Sequence, residues 1–173
     1  MPDENRTIYL IGPRASGKTT LGRALAAKLA RPFVDLDAFF VRQHGESIAD
    51  FVAREGWDAF RQAETDVLAT VAAMPGQVVA TGGGVVLREE NRRLLAQGAV
   101  IYLHLTPERL AERLRADPNE AQRPSLTGKG LVEEIAAVLS EREPLYRNLA
   151  QAVLSEGPVN DLVEAVVKVV TAR

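Results

Sequence analysis

The sequence predicts an α/β domain in which helices cover both faces of a parallel sheet. Three observations carry this. Five short β-branched or apolar runs alternate with longer stretches whose apolar residues recur at helical spacing. The first run leads straight into a glycine-rich turn and then a helix. The length of 173 residues, 46% of them hydrophobic and 25% charged, suits one domain (1–173) with an ample core.

Thr7–Ile11 is the first strand, buried by its unbroken apolar character. A helix follows from about Lys18 to Ala30, with Leu21, Leu25 and Leu29 four apart. Pro32–Asp35 is a short second strand, and Ser47 caps a helix that buries Ile48, Phe51 and Val52. The next helix carries Trp57, Phe60, Val67, Leu68 and Val71 and stops at Met74-Pro75-Gly76. Gln77–Ala80 and Val100–Leu105 are strands on either side of a helix over Glu89–Ala96. Thr106 and Pro107 open a helix as N-cap and first residue. A long helix runs from about Leu131 to Asn148, then a strand near Ala152–Leu154 and a terminal helix after Gly157-Pro158. Ala116–Gly130 is polar and rich in Pro, Gly, Arg and Lys, a connection long enough to be a lid or a disordered segment.

Composition excludes several functions. Lys and Arg number 21 against 23 Asp and Glu, a net charge of -2 without a basic run. Non-specific binding to nucleic acid or to a membrane surface has little to rest on. Without cysteine there is no disulfide, no thiolate nucleophile and no cysteine-ligated metal. No apolar run approaches the ~18–20 residues that span a bilayer. Met1–Arg6 is polar and acidic, unlike a secretory leader, so a cytoplasmic protein is expected.

Gly12-Pro-Arg-Ala-Ser-Gly17-Lys18-Thr19 matches G-x-x-x-x-G-K-[ST] in full, with a strand before it and a helix after. Glycines let backbone N–H groups turn inward around a phosphate, and the helix N-terminus adds its dipole. Lys18 is expected to reach the β- and γ-phosphates and the Thr19 hydroxyl to ligate Mg²⁺.

Asp35 and Asp37 flank Leu36 at the carboxyl end of the second strand, where such sheets bind ligands. A carboxylate there holds Mg²⁺ through water or accepts a proton from an attacking hydroxyl. The alternative is that Asp37 N-caps the next helix and Asp35 is a surface acid. Arg142 falls on the apolar stripe of the long helix, among Val138, Leu139, Leu145 and Tyr146. It needs an anionic partner, either a protein carboxylate or a substrate. Trp57, Arg61 and Glu64 share one helix face. They form either a pocket wall, an anion clamp and its support, or a surface ion pair. Thr81-Gly82-Gly83-Gly84 follows the third strand, where three glycines imply a close ligand or an unusual bend.

Taken in order, I-G-P-R-A-S-G-K-T-T (11–20), F-V-D-L-D (33–37), E-G-W-D-A-F-R-Q-A-E (55–64), A-T-G-G-G-V-V (80–86), Q-R-P-S-L-T-G-K (122–129) and E-R-E-P-L-Y-R (141–147) resemble the shikimate kinases, close to the type II bacterial enzymes. The resemblance covers nearly the whole chain. It implies a three-layer P-loop domain of the nucleoside-monophosphate-kinase type, with a five-stranded parallel sheet and a mobile lid at about 116–130. It implies a substrate-binding segment at about 35–64 and transfer of the γ-phosphoryl group of MgATP to the 3-hydroxyl of shikimate.

By that resemblance, Gly12, Arg14, Ala15, Ser16, Gly17, Lys18, Thr19 and Thr20 hold the nucleotide, and Thr19 and Asp35 the Mg²⁺. Asp37 orients or deprotonates the acceptor hydroxyl, and Arg61 and Arg142 grip the carboxylate. Gly82, Gly83 and Gly84 lie against the ring, Trp57 forms the wall, and Arg123 closes over ATP. A monomer is expected, without nucleic-acid or membrane partners. The family's loop usually has glycine where this chain has Ala15. Its Asp-x-Asn stretch before a proline is replaced here by Ser155-Glu156-Gly157-Pro158, to which no adenine contact is assigned. A kinase for a sugar acid such as gluconate, or for a nucleotide, is the nearest enzyme alternative. A nucleotide-dependent switch is disfavoured because the guanine-reading N-K-x-D box is absent.

Overall fold

In a computed structural model, residues 3–117 and 130–172 are described. The sheet comprises β1 (Ile8–Ile11), β2 (Phe33–Asp35), β3 (Val78–Ala80), β4 (Ala99–Leu103) and β5 (Ala152–Leu154). All neighbours are parallel, in the order β2-β3-β1-β4-β5. Every strand predicted from sequence is present, with ends moved by one or two residues.

Alternation along β1 builds two cores. Ile8 and Leu10 face one side with Val78, Ile101 and Leu103, and pack against α1 (Lys18–Leu29) and α8 (Val159–Thr171). Tyr9 and Ile11 face the other side with Val79, Val100 and Tyr102. There they meet α2 (Leu36–His44), α3 (Ile48–Glu55), α4 (Trp57–Ala72), α5 (Glu89–Leu95) and α7 (Leu131–Leu149). α6 (Pro107–Ala116) follows β4 and packs beside α7.

Helix ends follow the capping expectations. The Ser47 hydroxyl accepts from the Asp50 amide at 3.0 Å, and the Thr106 hydroxyl from the Arg109 amide at 3.3 Å with Pro107 in the first turn. One cap differs. Asp35 caps α2, accepting from the Asp37 and Ala38 amides, so Asp37 is not the cap. The helix α2 itself lacks a clean apolar period, and the sequence marks it only through the alternative that Asp37 caps a following helix. The 3-10 turn Val85–Leu87 that follows the triple glycine has no signal in residue spacing. Most of the expected lid, including Arg123, lies outside the described residues.

Candidate active site

β1, β2 and β3 deliver their carboxyl ends to one edge of the sheet, each with a different piece of chemistry. β1 runs into the phosphate loop. Gly17, at φ +96°, takes a backbone conformation that side chains disfavour and opens α1 without a side-chain cap. Ala15 is also left-handed, at φ +64°, which accounts for the usual glycine there: an L-residue in this region costs roughly 1–2 kcal/mol. Its carbonyl accepts from Arg113 at 3.1 Å. The Ser16 hydroxyl is buried and finds no partner among the described residues, which costs about 1–3 kcal/mol, and it suits a phosphate oxygen. Lys18 is folded back on its own loop and donates to the Gly12 and Pro13 carbonyls, 2.7 Å each.

β2 ends at Asp35. One carboxylate oxygen caps α2, while the other accepts from the Thr19 hydroxyl at 2.8 Å. The two residues assigned to Mg²⁺ therefore stand together, and both offer hard oxygen donors of the kind magnesium takes. Asp37 sits in the first turn of α2, half-buried, on the side facing the triple glycine.

β3 ends in Thr81-Gly82-Gly83-Gly84, and Thr81 is tied to β1 through its hydroxyl, which donates to the Leu10 carbonyl at 2.8 Å. Two of the three glycines lie where a side chain would press on the site's own groups. A Cβ on Gly82 would stand 2.9 Å from a Glu64 oxygen and 3.2 Å from an Asp37 oxygen; one on Gly84 would stand 2.3 Å from Arg61 Nη1. A Cβ on Gly83 would be 3.5 Å from the Arg14 amide and 3.6 Å from Arg142 Nη1. The triple glycine is thus the floor on which Asp37, Glu64, Arg61, Arg142 and the phosphate loop converge.

Arg61 and Glu64 are not a surface pair. They meet at 2.9 Å with side chains 15% and 7% exposed. The guanidinium also lies over the rings of Trp57 and Phe60, at 5.4 and 5.3 Å. Burial pushes the Glu64 carboxyl above the usual glutamate range, opposed by Arg61 and reinforced by Asp37. Trp57 is partly exposed at the edge of the site. An open cleft runs from Pro13 and Arg14, past Ile135 and Leu139, to Arg142 and Tyr146. It joins the phosphate loop to the arginine on α7.

The structure brings together every described residue singled out from the sequence for the acid-binding half. Arg123 lies outside the described residues. Three supporting residues gave no local signal. Arg113 reaches Ala15 across 98 positions, Glu156 holds Arg109 and Arg113, and the Tyr146 hydroxyl donates to the Gly83 carbonyl. Tyr146 read from sequence only as part of an apolar stripe.

Comparison with known proteins agrees with this geometry. A family model described as shikimate kinase matches residues 14–171. A protein named shikimate kinase 2 from Yersinia enterocolitica is 50% identical over 166 residues, 95% of each chain. A shikimate kinase from Nitratidesulfovibrio vulgaris is 51% identical over 166 residues, again 95% of each. Among solved structures, shikimate kinase from Acinetobacter baumannii in complex with shikimate superposes with a TM-score of 0.89 at 34% identity, covering 96% of this chain and 93% of that one. With the phosphate loop, the paired arginines and the glycine floor in these positions, the chain belongs to the shikimate kinase family.

Proposed function

We propose that this shikimate kinase moves the γ-phosphoryl group of ATP onto the 3-hydroxyl of shikimate, with the work divided among its three strand ends. What carries this is the meeting at Gly83 of the Arg14 amide and the Arg142 guanidinium. It sets an anion cradle beside a carboxylate grip, and phosphoryl transfer is largely a matter of such positioning and of charge stabilisation.

In this scheme Lys18 leaves the Gly12 and Pro13 carbonyls to meet the β- and γ-phosphates. The amides of Gly12, Arg14, Ala15, Gly17, Thr19 and Thr20 and the Ser16 hydroxyl surround the remaining oxygens. Thr19 and Asp35 hold Mg²⁺ together with the nucleotide. When bound, that ion neutralises the phosphate charge. Arg61 and Arg142 grip the shikimate carboxylate, each through the planar fork that matches two oxygens. Glu64 and the rings of Trp57 and Phe60 keep Arg61 in place. Gly82–Gly84 admit the ring because no side chain stands in its way, and Trp57 closes the wall. Asp37 accepts a hydrogen bond from the acceptor hydroxyl and takes its proton as the new P–O bond forms.

ADP release measured with shikimate, gluconate and several nucleoside monophosphates in parallel tests this directly. Turnover is expected with shikimate, and none with shikimate from folded protein would overturn the assignment. Arg61→Ala and Arg142→Ala should each raise KM for shikimate by ~100-fold, a loss of roughly 3 kcal/mol for one charge-assisted bidentate contact, with KM for ATP nearly unchanged. Equal losses for both substrates would mean a structural role. Trp57 is the single tryptophan, so its fluorescence should respond to shikimate in a saturable titration.

Among the described residues no helix is long and apolar enough to cross a membrane. We infer a one-domain monomer acting in the cytoplasm on two small-molecule substrates. Light scattering at micromolar concentration checks the monomer, where a mass twice that of the chain would refute it.

A further inference from the structure

Tyr146 lies one helical turn beyond Arg142 on α7, so both project to the same side. It is fully buried, and its ring stacks on Tyr102 of β4 with centroids 4.9 Å apart. The hydroxyl donates to the carbonyl of Gly83 at 2.5 Å, across 63 positions of sequence. The Arg142 guanidinium interacts with the same phenol and draws its pKa down. Burial pushes the phenol up to about 12, against the pull of Arg142, so the hydroxyl stays protonated and stays a donor near neutrality.

A core tyrosine needs some partner for its hydroxyl, and any carbonyl would serve. The carbonyl chosen here belongs to the middle residue of the glycine floor. Gly83 is also the residue whose Cα side abuts both the Arg14 amide and Arg142 Nη1. A run of three glycines has little stiffness of its own, so something outside it must set its orientation. Tyr146 bonds the glycine run with one atom and lies against the arginine with the same atom.

We propose that Tyr146 is a positioning residue for the acid-binding half of the site: its hydroxyl fixes the Gly83 carbonyl and holds the glycine floor in register with Arg142. It acts through Gly83 and Arg142. The proposal rests on Arg142 gripping the shikimate carboxylate.

Tyr146→Phe keeps the ring and its stacking and deletes the hydroxyl, and with it both the bond to the Gly83 carbonyl and the interaction with Arg142. KM for shikimate should rise roughly fivefold to tenfold, the scale of one buried hydrogen bond, while KM for ATP stays within about twofold. Tyr102→Phe is the control, because it deletes a hydroxyl from the stacked partner, whose oxygen faces Glu143 at 3.5 Å and not the glycine floor. It should leave KM for shikimate unchanged. Replacing Tyr146 with 4-aminophenylalanine restores an N–H donor and should return KM toward the wild-type value, which a general packing defect would not do. If Tyr146→Phe fails to fold, 4-fluorophenylalanine at the same position, nearly isosteric and without a donor, takes its place.

An unchanged KM for shikimate in the donor-less variants, an equal rise for ATP, or the same rise in Tyr102→Phe would overturn the proposal. Wild-type protein without shikimate-dependent ADP release would instead overturn the functional assignment, and this proposal with it.

Discussion

Single atoms decide much of this site, and Gly84 shows how. Its Cα lies so close to Arg61 that an added Cβ would stand 2.3 Å from Nη1 and 2.5 Å from Cζ. The guanidinium is the far end of a flexible side chain, so an added methyl displaces it and leaves the backbone in place. What cannot survive is the guanidinium's placement between Glu64, Trp57 and Phe60. Gly84→Ala is therefore expected to raise KM for shikimate by ~10-fold or more, a loss of about 1.4 kcal/mol or more in binding, and to lower the thermal midpoint as well, because the buried Glu64 carboxylate loses its partner. Steady-state kinetics beside a melting curve checks this; a variant that melts early with normal KM would contradict it. The triple glycine was visible in sequence as a place of close approach. Which side chain made that approach was not, because Arg61 is on another element.

At the scale of elements, the ends of α1 are instructive. Its start is the phosphate loop, where function dictates the backbone. Its end is ordinary capping chemistry with an unfavourable residue. Ala30 sits at φ +53°, its amide bonds the Ala27 carbonyl, and the Arg31 amide bonds the Ala26 carbonyl. This is the paired pattern that closes many helices and usually has glycine at the left-handed position. Ala30→Gly should stabilise the protein by about 1 kcal/mol through relief of that strain, partly offset by a more flexible unfolded chain. Denaturant titration should show a higher midpoint with unchanged kinetic constants; a lower midpoint would refute the account. Periodicity located α1, α4 and α7 correctly, because each carries a regular apolar stripe. α2 escaped it because its buried residues, Leu36 and Phe40, form a single pair with no further repeat, and its cap, Asp35, also bonds Thr19. One carboxylate thus joins a helix start to the expected metal site, a double use that residue spacing does not reveal.

The whole molecule is held together across its topology by contacts that no segment contains. Glu156, between β5 and α8, bonds Arg109 at 2.8 Å and Arg113 at 2.9 Å on α6, and Arg113 continues to the Ala15 carbonyl. These arginines hold the Glu156 carboxyl down at about 2. A carboxyl depressed in the folded state adds stability that is complete above its ordinary pKa of about 4.5 and is lost as pH falls through about 2. The thermal midpoint of wild type minus that of Glu156→Gln should be constant above pH ~5 and shrink toward zero as the pH approaches 2. A difference that does not vary with pH would show that the ion pairs contribute nothing. Low ionic strength favours the measurement, since the pairs are at the surface.

The sequence by itself determined the alternation of strands and helices, the phosphate-loop motif and the candidate residues for binding the acid. Each of these is written in contiguous residues or in a short repeat, where local sterics and burial act. Tertiary structure alone decided what those residues do to one another. The order β2-β3-β1-β4-β5 sets three strand ends side by side, and so puts Asp35 against Thr19, Arg61 against Gly84 and Tyr146 against Gly83. Such pairs are 16 to 63 positions apart in the chain, and their meeting depends on which strand lies beside which. That order is a property of how two hydrophobic faces are covered at once, and no single segment encodes it.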